Sequence, residues 1–274
     1  MKKGDIVGRI SYGKDVLFTV ERIIKTKKNG KICILKGLTE RIKADAPIED
    51  LEIIDKYIVE KNMRCLEQRL EKRIEQIKQK TRLTRESKAY TGTILHLDGD
   101  KKYSVKSEKY YKEIGLKAIV KNIAESKQPM MVRGLLEKYR PDILVITGHD
   151  AMIKNGRNFN DIYNYRNSKY FINTVIEARK WEQVTGKDLV IFAGACQSFF
   201  EAIMSSGANF ASSPARILID FIDPLIVAEK VATTSSYQYI KINDIASELR
   251  DGQRGIGGTG AMREKESNIA VTQL

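Results

Sequence analysis

Two stretches of the sequence, PDILVITGHD (141–150) and DLVIFAGACQ (188–197), decide the fold. Each contains a short apolar run ending in small residues, which is typical of a strand buried on both faces of a parallel sheet. Amphipathic segments separate these and similar runs, and the alternation predicts an α/β domain with a largely parallel sheet. The other predicted strands lie at residues 91–100, 116–123 and 208–213. The predicted helices cover roughly residues 107–115, 129–140, 168–183, 196–207 and 224–236.

Residues 4–54 show a different pattern, in which short apolar runs alternate with turn residues. The Asn29-Gly30 pair favours a hairpin turn because both residues tolerate positive φ. This segment predicts a small SH3-like β-barrel, a fold that leaves both protein and nucleic acid open as partners. A charged helix with apolar residues at three-and-four spacing follows. The predicted domains are the barrel (1–56), the charged helix with a linker (57–90) and the α/β domain (91–274).

The composition is globular, but the net charge is +13. So strong a cation attracts polyanions, and a non-enzymatic nucleic-acid-binding protein that uses the barrel is the alternative function. No apolar run is long enough for a membrane span, and the N-terminal residues do not form a secretory signal. Three cysteines (Cys33, Cys65 and Cys196) argue against a disulfide framework and for a reducing compartment. With only two histidines, His96 and His149, we expect neither a metal site nor a cofactor.

A histidine and a cysteine follow the two deciding strands, as Gly148-His149 and Ala195-Cys196. Consecutive strands of this kind are usually neighbours, and ligands bind at their carboxyl ends. A helix that begins at Cys196 would stabilise a thiolate through its free N–H groups. The imidazole would take the thiol proton and later protonate a leaving amine. The pair therefore predicts a nucleophile and its general base, although a cysteine at such a position, taken alone, is more often a core residue.

The apolar runs before His149 and before Ala195-Cys196 resemble those of the caspase-like cysteine peptidases, and their separation of 47 positions is close to the roughly 50 of caspases. More closely, nearly the whole chain resembles the YabG family of sporulation-specific endopeptidases. That resemblance implies a caspase-like fold and cleavage of spore coat and cortex-associated precursor proteins, with arginine before the cut. It also implies a cytoplasmic location in the sporulating cell, in contact with the assembling coat. The segments that carry it are 4–23, 35–51, 96–100, 141–151, 192–202 and 211–216.

The sequence departs from the caspase pattern next to the histidine. Caspases have a glycine after the histidine, and its N–H helps to bind the oxyanion, whereas Asp150 follows His149 here. We expect the N–H groups of Cys196 and Asp150 to be the oxyanion donors. The N–H of Cys196 is the safer assignment, because that of Asp150 rests on position alone.

An arginine-directed pocket needs a buried carboxylate. The sequence favours Asp98 and Asp100 weakly, because they follow the first strand of the α/β domain. Asp150, Asp220 and Asp223 stay open as alternatives. The resemblance adds Ser212 and Ser213 as residues that line the pocket, and His96 is expected to be structural because it lies within a strand.

Three further segments carry weaker signals. The glycine-rich run 255–260 resembles a phosphate-binding loop, but without a preceding strand or a Gly-Lys-Ser/Thr ending we predict a flexible loop. The polar residues 262–274 are expected to be loose. The long segment 151–169 follows a strand tip, where such loops often face a substrate.

Overall fold

The computed structural model describes residues 1–26, 30–85, 91–153 and 158–264. It is a mixed α/β protein with two sheets and several helices, as the sequence predicts. The predicted turn residue Asn29, the linker residues 86–90 and the tail from residue 265 lie outside the described residues. Among the described residues, no helix is both long enough and apolar enough to span a membrane.

The first sheet has five antiparallel strands in the order β4-β3-β2-β1-β5. Its core is formed by alternate residues that point to one side, among them Val7, Val20 and Leu35, all without solvent exposure. Asp50 ties the sheet together, because its carboxylate accepts hydrogen bonds from Arg9 and Ser11. The strands are β1 (Ile6–Arg9), β2 (Leu17–Thr26), β3 (Gly30–Gly37), β4 (Lys43–Pro47) and β5 (Leu51–Ile53).

The second sheet has six strands in the order β11-β10-β9-β8-β6-β7. The pairs from β7 to β10 are parallel, and only the edge strand β11 runs antiparallel to its neighbour. The two deciding stretches of sequence become the adjacent central strands β8 and β9. The strands are β6 (Ile94–Asp98), β7 (Ala118–Asn122), β8 (Ile143–Thr147), β9 (Val190–Ala193), β10 (Phe210–Ser212) and β11 (Ile256–Gly258).

Helices cover both faces of the second sheet, so the inner strands β6, β8 and β9 are buried on two sides. Val145 and Phe192 face a core that includes Leu225, while Leu144 and Ile191 face the core that includes Trp181. The helices are α1 (Lys56–Arg85), α2 (Lys101–Glu113), α3 (Gln128–Tyr139), α4 (Ser168–Thr185), α5 (Phe200–Ser205), α6 (Asp223–Thr233) and α7 (Asn243–Ala246). Single 3-10 turns cover Ile10–Tyr12, Ile48–Asp50, Glu125–Lys127, Ile162–Asn164 and Gly252–Arg254.

The prediction of a flexible glycine-rich loop at residues 255–260 is wrong. Residues 256–258 form β11, which pairs with β10. The glycines allow close packing: a Cβ at Gly257 would lie 2.7 Å from the Phe200 ring, and one at Gly258 would overlap the carbonyl oxygen of Asn209. The run is therefore a tightly packed edge strand and not a phosphate-binding loop.

The connection between β3 and β4 joins the two sheets. Residues 38–42, here called the 38–42 loop, leave the first sheet and lie against the carboxyl ends of β6 and β8. Ile42 forms a parallel β-bridge with Asp150, and the N–H of Asp150 donates to the carbonyl of Arg41 at 3.4 Å. This loop carries Arg41 into the edge of the second sheet where the sequence places the site.

Candidate active site

Cys196 lies in the turn after β9 and has no solvent exposure. Gly194 opens this turn with a φ of +113°, and a Cβ there would lie 2.7 Å from the Ser212 hydroxyl. The N–H of Ile219 donates to the Cys196 sulfur at 3.4 Å, and the backbone N–H of Arg41 also acts to lower the pKa of the thiol. Burial raises the pKa of the Cys196 thiol to about 11 against the effect of these two donors. The thiol is thus protonated in this closed state.

The predicted helix start at Cys196 is wrong. Helix α5 begins only at Phe200, because the chain first makes a turn in which Gln197 has a φ of +56°. The hydroxyl of Ser198 closes that turn by accepting from the N–H of Ala195 at 2.9 Å. A helix N-terminus therefore does not lower the pKa of Cys196, and a thiolate must be stabilised by other groups.

His149 follows β8 and is 1% exposed, with its ring between two carboxylates. Its Nε2 lies 3.4 Å from Oδ2 of Asp100, and its Nδ1 lies 3.8 Å from Oε1 of Glu125. Within the described residues, no hydrogen bond joins the His149 ring to the Cys196 sulfur. The structure thus brings the two residues to adjacent strand ends, with the ring near two acids and its Nε2 without a hydrogen-bond partner in the part of the chain that the structure describes.

Glu125 is a site residue that the sequence analysis missed. Its carboxylate accepts from the backbone N–H of His149 at 2.7 Å, and it is 7% exposed. Burial opposes its ionisation, but the hydrogen bonds from the side chain and backbone of His149 lower the pKa of Glu125 overall. Glu125 is therefore an anion that fixes both the backbone and the ring of His149.

Two glycines make room for this carboxylate. A Cβ at Gly99 or at Gly148 would overlap the Glu125 side chain. These glycines end the HLDG and VITG segments, so they were visible in the sequence as points where something approaches the backbone closely. The sequence could not say which side chain approaches, because Glu125 lies on a 3-10 turn that is distant from both glycines along the chain.

The two favoured aspartates occupy different places. The buried Asp100 caps α2 by accepting from Lys102 N–H, forms an ion pair with Lys36 at 2.6 Å and faces His149. Burial opposes its ionisation, but the Lys36 contact and the nearby His149 lower the pKa of Asp100 overall. Asp98 contacts Arg41 and not His149. Of these two aspartates, Asp98 is therefore the one that pairs with a guanidinium.

Arg41 fills a closed pocket at this edge. Its Nη2 lies 3.2 Å from Oδ2 of Asp98 and 3.5 Å from the carbonyl oxygen of Phe221. Its guanidinium carbon lies 4.8 Å from the centre of the Tyr103 ring. We call Asp98, Tyr103 and the Phe221 carbonyl the guanidinium pocket. Arg41 has no solvent exposure, and an arginine so buried is rare without a specific partner.

Asp150 is fully buried beneath the site. Its carboxylate accepts hydrogen bonds from the hydroxyls of Ser168 and Ser198 and from the N–H of Asn167. Burial nevertheless raises the pKa of Asp150 to about 6. Its side chain holds the loops after β8 and β9 together, and its backbone N–H is the part that contacts Arg41.

The other candidates surround this centre. Ser212 donates to the carbonyl of Ala195 at 3.1 Å, and Ser213 donates to the carbonyl of Ile217, so both serines brace the turn that holds Cys196. Asp223 accepts from the N–H groups of Asp220 and Arg250. His96 is buried, with Nε2 2.7 Å from the Thr147 hydroxyl and Nδ1 3.2 Å from that of Tyr111, which fits the structural role expected of it.

Comparison with known proteins identifies the family. The family model described as YabG peptidase U57 matches residues 2–267. The chain belongs to this peptidase family. The sporulation-specific protease YabG of Bacillus subtilis (strain 168) is 39% identical over 271 residues, which cover 93% of each chain. No solved structure matches the chain.

Membership establishes that the chain is a peptidase and confirms the resemblance drawn from the sequence. The match spans both sheets, so the first sheet and the 38–42 loop belong to the family pattern as much as the strand tips do. The geometry of these parts is therefore the basis for assigning a mechanism.

Proposed function

We propose that the chain is a cysteine endopeptidase of sporulating cells, with Cys196 as nucleophile and His149 as general base. One observation carries the proposal. A single residue of the 38–42 loop reaches both strand tips, since the backbone N–H of Arg41 lowers the pKa of Cys196 and its carbonyl accepts from the N–H of Asp150, the residue after His149. A peptide segment can thus lie with its carbonyl between the cysteine and the histidine.

The reaction then follows the usual order for a thiol peptidase. His149 removes the thiol proton, and the thiolate attacks the peptide carbonyl carbon. The N–H of Asp150 and that of Cys196 stabilise the oxyanion, and the first of these already donates to a carbonyl in the structure. His149 returns the proton to the leaving amine, and the resulting thioester is hydrolysed by a water that His149 deprotonates.

Specificity for arginine rests on the guanidinium pocket. Arg41 enters it as the arginine before a cut would, with its side chain on Asp98 and its carbonyl at Asp150. A buried carboxylate selects a guanidinium strongly, because an uncharged side chain would leave that carboxylate unpaired. We therefore assign Asp98 as the acid of the pocket, while Asp100 acts on His149.

Glu125 is assigned as a positioning residue for His149, and Glu125→Gln tests this. The amide keeps the shape but loses the anion beside Nδ1. We expect kcat to fall about tenfold to a hundredfold, part of the 10²–10⁴ that a positioned base contributes, with KM little changed. Steady-state kinetics on an arginine peptide separate the two constants.

The matched control is Glu137→Gln, because Glu137 is exposed on α3 and its ion pair is with Arg133 on the same helix. This variant should retain the wild-type kcat. Equal kinetics of the Glu125 and Glu137 variants would remove Glu125 from the mechanism, and a rise in KM alone would assign it to substrate binding.

The wider assignments complete the proposal. The mostly parallel second sheet supports a caspase-like domain at 91–274, and the small antiparallel sheet supports an SH3-like barrel at 1–56, joined by the helix and linker at 57–90. The name of the Bacillus subtilis relative supports a role in sporulation. We propose spore coat and cortex-associated precursors as substrates, in the cytoplasm of the sporulating cell at the assembling coat.

Covalent labelling tests the catalytic type. A peptidyl-arginine chloromethyl ketone should alkylate Cys196, with loss of chloride, faster than the matching leucine reagent, because only arginine pairs with Asp98. Peptide mapping by mass spectrometry locates the adduct. Cys65 is exposed on α1 and serves as the reference for unspecific alkylation. Labelling of Cys65 and Cys196 at equal rates, with no preference for arginine, would exclude the proposed site.

A further inference from the structure

We propose that the 38–42 loop is a built-in inhibitor, in which Arg41 occupies the guanidinium pocket of its own chain and excludes substrate until the loop leaves. The inference rests on the proposed function, since it takes the pocket to be the substrate site. It goes beyond that function by naming Arg41 as the residue that occupies the pocket before a substrate does, and by describing how access to the pocket is regulated.

The side chain of Arg41 fits the pocket as a ligand does. The guanidinium pairs with Asp98, lies against the Tyr103 ring and donates to the Phe221 carbonyl. Asp98 is itself held by the Thr147 hydroxyl, which donates to it at 3.0 Å, so the acid is fixed for this contact. A free substrate arginine would need the same carboxylate.

The backbone of the loop also follows the path of a bound peptide. Ile42 pairs with Asp150 in a parallel bridge, which continues the sheet edge in the way that extended peptides bind. The carbonyl of Arg41 accepts from the N–H of Asp150, and its backbone N–H lowers the pKa of Cys196. Side chain and main chain therefore hold Arg41 in one register at the reactive sulfur.

The residues that precede Arg41 in the chain are also held in place, by hydrogen bonds to their backbone carbonyls. Lys102 donates from Nζ to the carbonyl of Leu38 at 2.8 Å, and the Tyr103 hydroxyl donates to the carbonyl of Thr39 at 2.6 Å. Lys36, at the end of β3, pairs with Asp100. These contacts join the first sheet to α2, which begins directly after the strand tip that carries Asp98.

The closed arrangement explains why both reactive groups are inaccessible. Cys196 has no exposure and His149 is 1% exposed, so a substrate cannot reach them while Arg41 is in place. The His149 ring faces Asp100, and burial keeps the Cys196 thiol protonated, so the loop is held without attack. Nε and Nη1 of Arg41 lack hydrogen-bond partners among the described residues, which weakens the closed state and favours release.

Arg41→Ala tests the inhibitor directly, with Arg22→Ala, an exposed arginine of the same sheet, as the control. Two rates are measured: alkylation of Cys196 by iodoacetamide, mapped by mass spectrometry, and cleavage of a peptide with arginine before the scissile bond. We expect both to rise at least about tenfold in Arg41→Ala, the usual effect of losing a hydrogen bond to a charged group. Arg22→Ala should match the wild type in both rates.

The two readouts separate the inhibitor from the proposed function. In an Arg41→Ala variant whose circular dichroism matches the wild type, faster alkylation without peptide cleavage would support the covering loop and contradict the peptidase mechanism. Peptide cleavage by the wild type at a rate that Arg41→Ala does not change, with unchanged alkylation, would overturn the inhibitor and leave the mechanism intact.

A second variant covers the case that Arg41→Ala does not fold. Lys102→Ala removes the exposed hydrogen bond to the Leu38 carbonyl and a longer contact with the Tyr103 ring, and circular dichroism checks that the fold is retained. It should accelerate alkylation of Cys196 more modestly than Arg41→Ala. A folded Lys102→Ala variant with the wild-type alkylation rate, alongside an unfolded Arg41→Ala variant, would count against the inhibitor.

Discussion

Cys196→Ala and His149→Ala are each expected to abolish cleavage of arginine peptides, with kcat/KM falling by about four orders of magnitude or more, since nucleophile and base act as one unit. The Cys196→Ala variant has no thiol that can form the thioester. Without His149, the base that takes the thiol proton is missing, and no helix N-terminus at Cys196 stabilises the thiolate. Rates are compared for purified proteins, each also in the Arg41→Ala background so that the site is open.

Cys65→Ala is the control, because Cys65 is an exposed thiol on α1 and lies outside the site. It should cleave at the wild-type rate. Since removal of two unit-acting residues is not additive, the double variant should be no slower than either single one. Substantial cleavage by folded Cys196→Ala would show that another residue is the nucleophile.

Asp98→Asn should remove the preference for arginine. A guanidinium that loses a buried carboxylate partner loses about 3–5 kcal/mol, so kcat/KM for arginine peptides should fall by a factor of roughly 10²–10³ relative to leucine peptides. The same change weakens the hold on Arg41, so alkylation of Cys196 should become faster. General damage to the fold would also expose the buried Cys196 and slow cleavage, so the decisive sign is a lower arginine-to-leucine ratio with cleavage of leucine peptides retained.

Asp100→Asn is the matched comparison for Asp98→Asn. Asp100 contacts Lys36 and His149 and not a guanidinium, so its variant should change the cleavage of arginine and leucine peptides by the same factor. Selectivity is measured as the ratio of the two kcat/KM values. A lost preference in Asp100→Asn and a retained one in Asp98→Asn would exchange the roles of the two acids.

The sequence predicted the parts of the site that depend on short-range pattern. Continuous apolar runs mark β8 and β9, and the order of strands brings His149 and Cys196 to one edge of the sheet. It also favoured Asp98 and Asp100 among the candidate acids, with Asp150, Asp220 and Asp223 left open. It could not assign a separate role to each acid. Asp98 ends β6 and Asp100 caps α2, so the directions of their side chains depend on the turn between these two elements.

The parts that the sequence missed come from distant segments. Arg41 reaches the site from the first sheet, and Glu125 reaches it from the turn after β7. Neither segment carries a local pattern that reports what it touches. The helix start at Cys196 was misplaced for a related reason, since the hydroxyl of Ser198 stabilises a turn that apolar spacing does not reveal.

The space around Glu125 constrains how the family can vary. The carboxylate fits only because positions 99 and 148 have no Cβ, so the three positions should change together among related chains. A lineage that keeps the glutamate must keep both glycines, and a lineage that replaces it is free to fill either position. This linked variation can be read from aligned sequences alone, and it offers a signature of the histidine support that requires no purified protein.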